Sequence, residues 1–569
     1  KLPWASIPLR REASIQMTAY LCTRKTIMRK SSRYVTWMAC FLFLAPFQGV
    51  LANLVQILHT NDTHSHLDHA IHRPWLGGYA RLKALIDEKK VWGTSNGMGN
   101  LVMDAGDYLE GNIYYLAEKG KRTYEIYGSV GYDVATVGNH DYLMGSLDLD
   151  KLLAAVHPSF TLLGANFYVD AKYKNINKVI KPYTEMVING VKVGIVGITL
   201  DDVLYKWRIQ DGGITDELDA AKNYARILRE RGNEVVIALS HAGMSKDKKI
   251  AKKVPDIDII IGGHSHDETF QIVWQKSKGG KKVAIVQAGQ HAEWLGQLIF
   301  DYDKSKKSLK IVQFQLLPVN NKEIDQPLAE KIEDANLPLY DLFGEEWLNS
   351  IVGQSELRPI YRGGNPKIWH FFINDAMRET AQADFAINVS ALSGSNFPEQ
   401  GGITRRDLYN SNPRTFEFEN KYGYDIHTAE VRGVWVALVA KVVMRFGLPL
   451  YLSGLEFDYK KKGSGTWDDK YSISNLRTHG KKLKLSKDYK VGMCEAIVRG
   501  GYAISPWVRL LLKRPNNTKV SMWQSMENRL KLYPVVKESY LEDNFGKVPG
   551  RAPASGDQIE HLFIPPDAN

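Results

Sequence analysis

Val55-Gln56-Ile57-Leu58-His59-Thr60-Asn61-Asp62-Thr63-His64 opens on a short apolar run and closes on a cluster of polar, ligand-type side chains. The run has the length and character of a strand buried on both faces. The same pattern recurs along the chain. Leu101-Val102-Met103 precedes Asp104-Ala105-Gly106-Asp107, and Val134-Ala135-Thr136-Val137 precedes Gly138-Asn139-His140-Asp141. Val235 to Leu239 precedes Ser240-His241-Ala242-Gly243, and Ile257 to Ile261 precedes Gly262-Gly263-His264-Ser265-His266. Val193-Gly194-Ile195-Val196-Gly197-Ile198 is a further run of this kind. Amphipathic stretches such as Gly78 to Lys89 and Thr215 to Arg231 lie between the runs and read as helices. Strands alternating with helices from Leu54 to about Pro318 argue for an α/β layered domain.

The placement of the polar clusters has a physical meaning. Ligands bind beyond the carboxyl ends of strands in α/β sheets. Asp62 and His64, two residues apart in a loop, can turn onto one cation. Gly106 permits a tight turn, and Asp107 can offer its two carboxylate oxygens to two cations. A single His after a strand is more often part of a capped turn than a ligand, so the five clusters in order carry the argument. Carboxylate, imidazole and amide-oxygen donors suit zinc, manganese, cobalt or iron rather than calcium. Two such ions a few ångströms apart activate a hydroxide and stabilise in-line displacement at phosphorus. His66, His69 and His72 follow the first cluster closely and read as a polar loop at the mouth of the site.

Asn61-Asp62-x-His64, Gly106-Asp107, Gly138-Asn139-His140-Asp141, Ser240-His241-Ala242-Gly243 and Gly262-Gly263-His264-Ser265-His266 together resemble the calcineurin-like metallophosphoesterases. Their order, with the second half of the chain, resembles the 5'-nucleotidase / UDP-sugar hydrolase / 2',3'-cyclic phosphodiesterase family. The resemblance implies a four-layer α/β/β/α sandwich over 53–318, a linker helix over 319–350, and a smaller α/β substrate domain over 351–569. It implies that Asp62, His64 and His266 bind one divalent metal, that Asn139, His241 and His264 bind a second, and that Asp107 bridges them. Zinc, manganese or cobalt are the expected ions. His140 and Asn139 take the catalytic positions, with attack by a metal-bridging hydroxide and no covalent phospho-enzyme. One departure bears on catalysis. The family holds the motif His with an Asp three residues later, where this chain has Leu143; the imidazole then needs a carboxylate from outside the motif to keep its orientation and basicity.

The second half keeps part of the family's nucleotide-binding pattern. Asp375-Ala376-Met377, Gly402-Ile403-Thr404-Arg405-Arg406-Asp407-Leu408 and Glu417-Phe418-Glu419-Asn420 match, which makes Phe418 the candidate for base stacking. Ser395, Ala496 and Tyr502 stand where the family has a phosphate-binding Arg, a second stacking Phe and an Asp. Arg362 is the substituted candidate for phosphate, with Arg405 as another. The bland readings are a core aromatic for Phe418 and a solvated residue for Arg362. A helix over Trp369 to Ala381 and a strand over Phe385 to Val389 are expected, and the Lys- and Gly-rich stretch Tyr459 to Lys484 reads as a hairpin or exposed loop.

Composition sets the outer limits. A chain of 569 residues exceeds one hydrophobic core and suggests two or three domains. Hydrophobic content of 44% with 24% charged residues excludes a disordered chain. The net charge of +11 is mostly local: residues 1–52 hold eight Lys or Arg and one Glu, leaving +4 on the rest. That is too little to argue for a nucleic-acid partner. Met28-Arg29-Lys30-Ser31-Ser32-Arg33, the apolar stretch Tyr34 to Phe47 and Val50-Leu51-Ala52 read as the parts of a secretory signal over about 28–52, within a leader of 1–52. Cys22 and Cys40 lie in that leader, so Cys494 is the remaining thiol and no disulfide is expected. The expected protein is thus periplasmic or extracellular, with no stable membrane span after signal removal, acting on a small phosphate ester, above all a nucleotide. Phosphodiester or UDP-sugar hydrolysis is the alternative within the same chemistry, and a catalytically idle surface binding protein the alternative outside it.

Overall fold

The computed structural model describes residues 53–540 apart from 70–72, 74, 203–204, 322, 360–366, 390–391, 393–397, 447–449, 463–469 and 505–510. The leader with its signal, His72, Arg362 and Ser395 therefore lie outside the described residues.

The apolar runs form two sheets. The first has seven strands in the order Ser308–Pro318, Trp294–Asp303, Leu54–Thr60, Gly99–Asp104, Val134–Thr136, Thr161–Leu163, Ile180–Lys181. The second has six, in the order Val273–Lys276, Lys282–Val286, Ile259–Gly262, Val235–His241, Val191–Thr199, Tyr183–Ile188. Side chains alternate across a strand, and each run supplies two cores. Val55, Ile57, Leu101 and Met103 of the first sheet meet Val193, Ile195, Val235, Ile237, Leu239, Ile259 and Ile261 of the second between the sheets. The intervening residues Val196, Ile198, Val236, Ala238 and Ile260 face outward. There they pack with Ala220, Ala221, Ala225 and Leu228 of the helix Glu217–Glu230 and with Ile250 and Ala251 of Met244–Lys253. On the far side of the first sheet, Leu58 and Val102 pack with Leu82, Leu85 and Ile86 of the helix Tyr79–Ser95. The result is the expected four layers, and it explains why the runs are apolar without alternation.

The stretch after Pro318 is helical in three pieces, Gln326–Asp334, Leu337–Phe343 and Glu345–Asn349. Gly344, at φ 85°, separates the last two. A strand that the sequence reading did not anticipate, Ile351–Glu356, pairs with Gln400–Thr404. A five-stranded sheet follows, ordered Leu450–Ser453, Phe385–Val389, Asp488–Cys494, Asp425–Arg432, Lys513–Ser521. Helix Lys367–Thr380 packs near it, and the Lys-rich stretch forms the antiparallel pair Glu456–Lys462 and Lys470–Thr478. Cys494 is buried and free.

Ile237 is fully buried between the two sheets, whereas Val187 is 69% exposed at the edge of the second. In urea titrations Ile237→Ala is expected to cost about 2–5 kcal/mol, and Val187→Ala less than about 0.5 kcal/mol.

Candidate metal centre

Strands Leu54–Thr60, Gly99–Asp104 and Val134–Thr136 are parallel neighbours in the first sheet, and Val235–His241 and Ile259–Gly262 are parallel neighbours in the second. Their carboxyl ends converge, so the five clusters meet. Asp62, His64 and His266 place three ligand atoms within 4.8 Å of one another, and so do Asp107, His241 and His264. One oxygen of Asp107 faces both groups, 3.0 Å from His241 Nε2 and 3.8 Å from His64 Nε2. Asn139 Oδ1 lies 3.1 Å from His241 Nε2 and 3.0 Å from His264 Nδ1. All seven predicted ligand residues are therefore in one place. Asp62, His64, Asp107, Asn139 and His241 are buried, while the side chain of His266 is 38% exposed on the open side.

The backbone is bent hard to achieve this. Asp62, His64, Asp107, His264 and His266 all have φ between 48° and 74°, a left-handed region that costs ordinary residues about 1–3 kcal/mol each. Glycine makes the close approach possible at one point: a Cβ on Gly138 would stand 2.1 Å from Asp107 Oδ1 and 2.3 Å from Asp107 N. Asp141, the motif's last residue, faces away from the ligands. Its carboxylate accepts the backbone N–H groups of Asp107, Tyr108, Leu109 and Gly138 at 2.7–3.0 Å and so ties the second loop to the third.

Hydrogen bonds fix the ring states. His64 Nδ1 is 2.7 Å from the Glu110 carbonyl, and His241 Nδ1 is 2.7 Å from the Ala105 carbonyl. A carbonyl only accepts, so Nδ1 carries a proton in both rings and Nε2 faces inward, where the neutral ring would turn a lone pair to a cation. Asn139 donates from Nδ2 to Asp202 at 3.1 Å, which leaves its Oδ1 facing the two imidazoles. The centre is thus a cluster of acceptors pointing at one another. Burial alone would strip His241 of a proton, but Asp107 and Asp62 outweigh it and raise the imidazole to about 10. Positive charge is demanded there, and the oxygen and nitrogen donors fit divalent transition-metal ions.

His140 stands beside this cluster, with Nε2 4.0 Å from Asp107 Oδ2 and its backbone N–H donated to Asp107 Oδ1 at 2.7 Å. Leu143 is fully buried in the core, yet the ring does not lack a carboxylate. Its Nδ1 donates to Glu110 Oε2 at 2.6 Å. The same oxygen takes the guanidinium of Arg414, from the second half of the chain. Burial pushes the Glu110 carboxyl up, and Arg414 and His140 more than reverse this and hold it below its ordinary value. Tyr205 lies against the other side of the ring, centroids 5.5 Å apart. Glu110, Arg414 and Tyr205 were missed by the sequence reading. Only Glu110, three residues past Asp107, had a usable signal; Arg414 is 304 positions away in a segment without a motif.

The remaining candidates divide. Phe418 is half-buried, its ring 5.0 Å from Tyr115 and tilted at 46°. Ala496 is fully buried and offers no opposing ring. Arg405 is held by Glu527 at 3.0 Å through both Nε and Nη2, and does not serve as a spare phosphate ligand. His59 is buried with its ring stacked on Phe314, apart from the ligands. His66 is buried rather than lying in an open polar loop, and stacks on His291 with centroids 3.6 Å apart.

Arg414→Met would leave the buried Glu110 carboxylate without its cation, at an expected cost of about 3–5 kcal/mol in urea unfolding. Adding Glu110→Gln to that variant should recover much of the loss. Equal stability of the single and double variants would refute the pairing.

Comparison with known proteins agrees with this geometry. The Calcineurin-like phosphoesterase family matches residues 55–268. The snake venom 5'-nucleotidase of Gloydius brevicauda is 29% identical over 324 residues, 52% of this chain and 53% of that protein. The 5'-nucleotidase of Rattus norvegicus is 24% identical over 534 residues, 84% of this chain and 89% of that one. The chain spans about half the length of the venom relatives it matches. In fold it resembles the 5'-nucleotidase precursor of Thermus thermophilus, with a TM-score of 0.70 at 21% identity, covering 85% of this chain and 97% of that one. With the phosphoesterase ligand pattern assembled in one place, the chain carries a calcineurin-like phosphoesterase domain at residues 55–268 and is similar to 5'-nucleotidases along most of its length.

Proposed function

We propose that this protein hydrolyses phosphate esters of nucleotides with two divalent cations, one on Asp62, His64 and His266 and one on Asn139, His241 and His264, sharing Asp107. The observation that carries the reading is the convergence of buried acceptors with a single carboxylate facing both groups. When bound, the cations supply an activated water nucleophile and neutralise charge at phosphorus. The chain's own residues do the rest. Asp141 fixes the loop that carries Asp107. Glu110 fixes the His140 ring through Nδ1, which turns Nε2 toward the open side of the centre. From there it can donate to a phosphoryl oxygen or to the departing alkoxide. Glu110 and Arg414 act through His140, as positioning residues.

The nucleotide part of the reading rests on the relatives and on Phe418, half-buried against Tyr115. Phe416 lies 5.0 Å from Trp207 and 6.2 Å from Tyr205, and Arg499 stacks over Trp207 at 4.6 Å. Phe416 and Tyr205 are buried, so Phe418 is the candidate stacking ring. Export through the signal at about 28–52 completes the proposal and fits action on extracellular or periplasmic nucleotides; no helix among the described residues is long and apolar enough to cross a membrane.

Two measurements test it. The first is phosphate release from nucleoside mono-, di- and triphosphates, cyclic nucleotides, UDP-sugars and an aryl phosphate, with manganese, cobalt or zinc. Hydrolysis of nucleoside monophosphates, abolished by a chelator and restored by metal, is expected. Cleavage confined to cyclic nucleotides or UDP-sugars would shift the label to the alternative hydrolases, and metal binding without turnover on any ester would leave a binding protein. The second is Glu110→Gln, expected to lower kcat by about 10–100-fold while KM and metal content stay near those of the parent. Unchanged kcat in a folded variant would remove Glu110 from the reaction.

A further inference from the structure

Helix Gly433–Phe446 reads Gly-Val-Trp-Val-Ala-Leu-Val-Ala-Lys-Val-Val-Met-Arg-Phe. Its inward positions, Val436, Ala437 and Ala440, are buried against the second half's core. Its outward positions are apolar as well: Val434, Trp435, Leu438, Val439 and Val442 are 38–48% exposed. These five recur at the i, i+4 and i, i+3 spacing that shares one helix face. A surface helix normally carries a polar outer face, and one that is apolar all round is found buried or in contact with lipid. Lys441 is the one charged residue among the described side chains of this face.

The patch continues past the helix. The backbone N–H of Val434 donates to the Leu485 carbonyl at 2.9 Å, and that of Gly433 to the Lys487 carbonyl at 2.8 Å. Leu485 is 55% exposed, so it extends the apolar face. Lys481, Lys482, Lys484 and Lys487 are exposed in the same segment, and none joins a carboxylate within ion-pair distance among the described residues. An apolar face with an indole, edged by exposed lysines, is the chemistry that inserts shallowly among lipid headgroups. A 14-residue helix lies on such a surface rather than spanning it.

We propose that this face seats on the surface of a bilayer containing anionic lipid, with Trp435, Leu438 and Val439 entering the headgroup layer and Lys484 and Lys487 meeting lipid phosphates. Charge decides against a second copy of the chain as occupant. The described apolar face and its edge carry lysines and no carboxylate, so a two-fold contact through it would offer those lysines no ion-pair partner. An anionic surface satisfies both the apolar face and its cationic edge, and attracts such an edge within a Debye length.

The test is co-sedimentation of the full chain with vesicles of phosphatidylcholine alone and of phosphatidylcholine mixed with phosphatidylglycerol. Parent protein should partition onto the anionic vesicles, less so at high salt. Leu438→Glu/Val439→Glu should weaken that partition at least about tenfold, and Lys484→Glu/Lys487→Glu should weaken it while leaving the apolar face intact. Parent and variants carry the same leader, so the difference between them reports on this face alone. The second pair of changes lies on exposed side chains, and keeps the test decisive if the first unfolds the protein. Equal partition of parent and both variants overturns the proposal. So does a parent dimer in sedimentation velocity that Leu438→Glu dissolves while vesicle binding is absent, which would make the occupant a second copy.

Discussion

The acceptor cluster at the joint carboxyl edge of the two sheets is the constraint around which the first half is built. Two buried carboxylates, an amide oxygen and the inward nitrogens of His64 and His241 repel one another unless positive charge lies between them. Five of the residues involved also sit in the left-handed backbone region. A loop left to itself would relax on both counts. Here the loops are short extensions of strands whose side chains are locked between layers, with Val55, Ile57, Leu101, Met103, Ile237 and Ile261 all fully buried. Packed interiors of this density yield little to local strain, so the sandwich holds a geometry that its loops disfavour. The four N–H bonds to Asp141 serve the same end inside the site.

That architecture made part of the protein legible and hid another part. Strand, polar cluster and glycine follow one another in sequence because the ligand emerges directly from the end of its own strand. The five clusters could therefore be picked out locally, and the family resemblance then implied Asp62, His64, Asp107, Asn139, His241, His264 and His266, which the structure brings together. Runs without alternation implied strands covered on both faces, and the resemblance implied the four-layer arrangement. What could not be read is whatever two distant segments build together. Leu143 suggested a His without its carboxylate, whereas Glu110 supplies one from another loop and Arg414 compensates it from the second half. His66 looked like part of a polar loop by composition, but stacking on His291 buries it. Strand Ile351–Glu356 escaped notice because its burial alternates weakly and its partner lies some fifty residues on.

The Glu110 contact also bears on how the halves of the chain work together. His140 is oriented from within the first half, but the charge that orients it is neutralised from the second. Arg208 ties the same halves nearby, donating to the Leu143 carbonyl at 2.6 Å and to the Phe416 carbonyl at 2.5 Å. Any movement that carried residue 414 away from residue 110 would leave a buried carboxylate bonded to the imidazole alone. Such a charge is costly, on the order of several kcal/mol, and it would be felt at the imidazole beside the acceptor cluster. The position of the second half and the alignment of His140 are therefore one variable, and the arrangement beside the acceptor cluster depends on a residue with no part in the motifs.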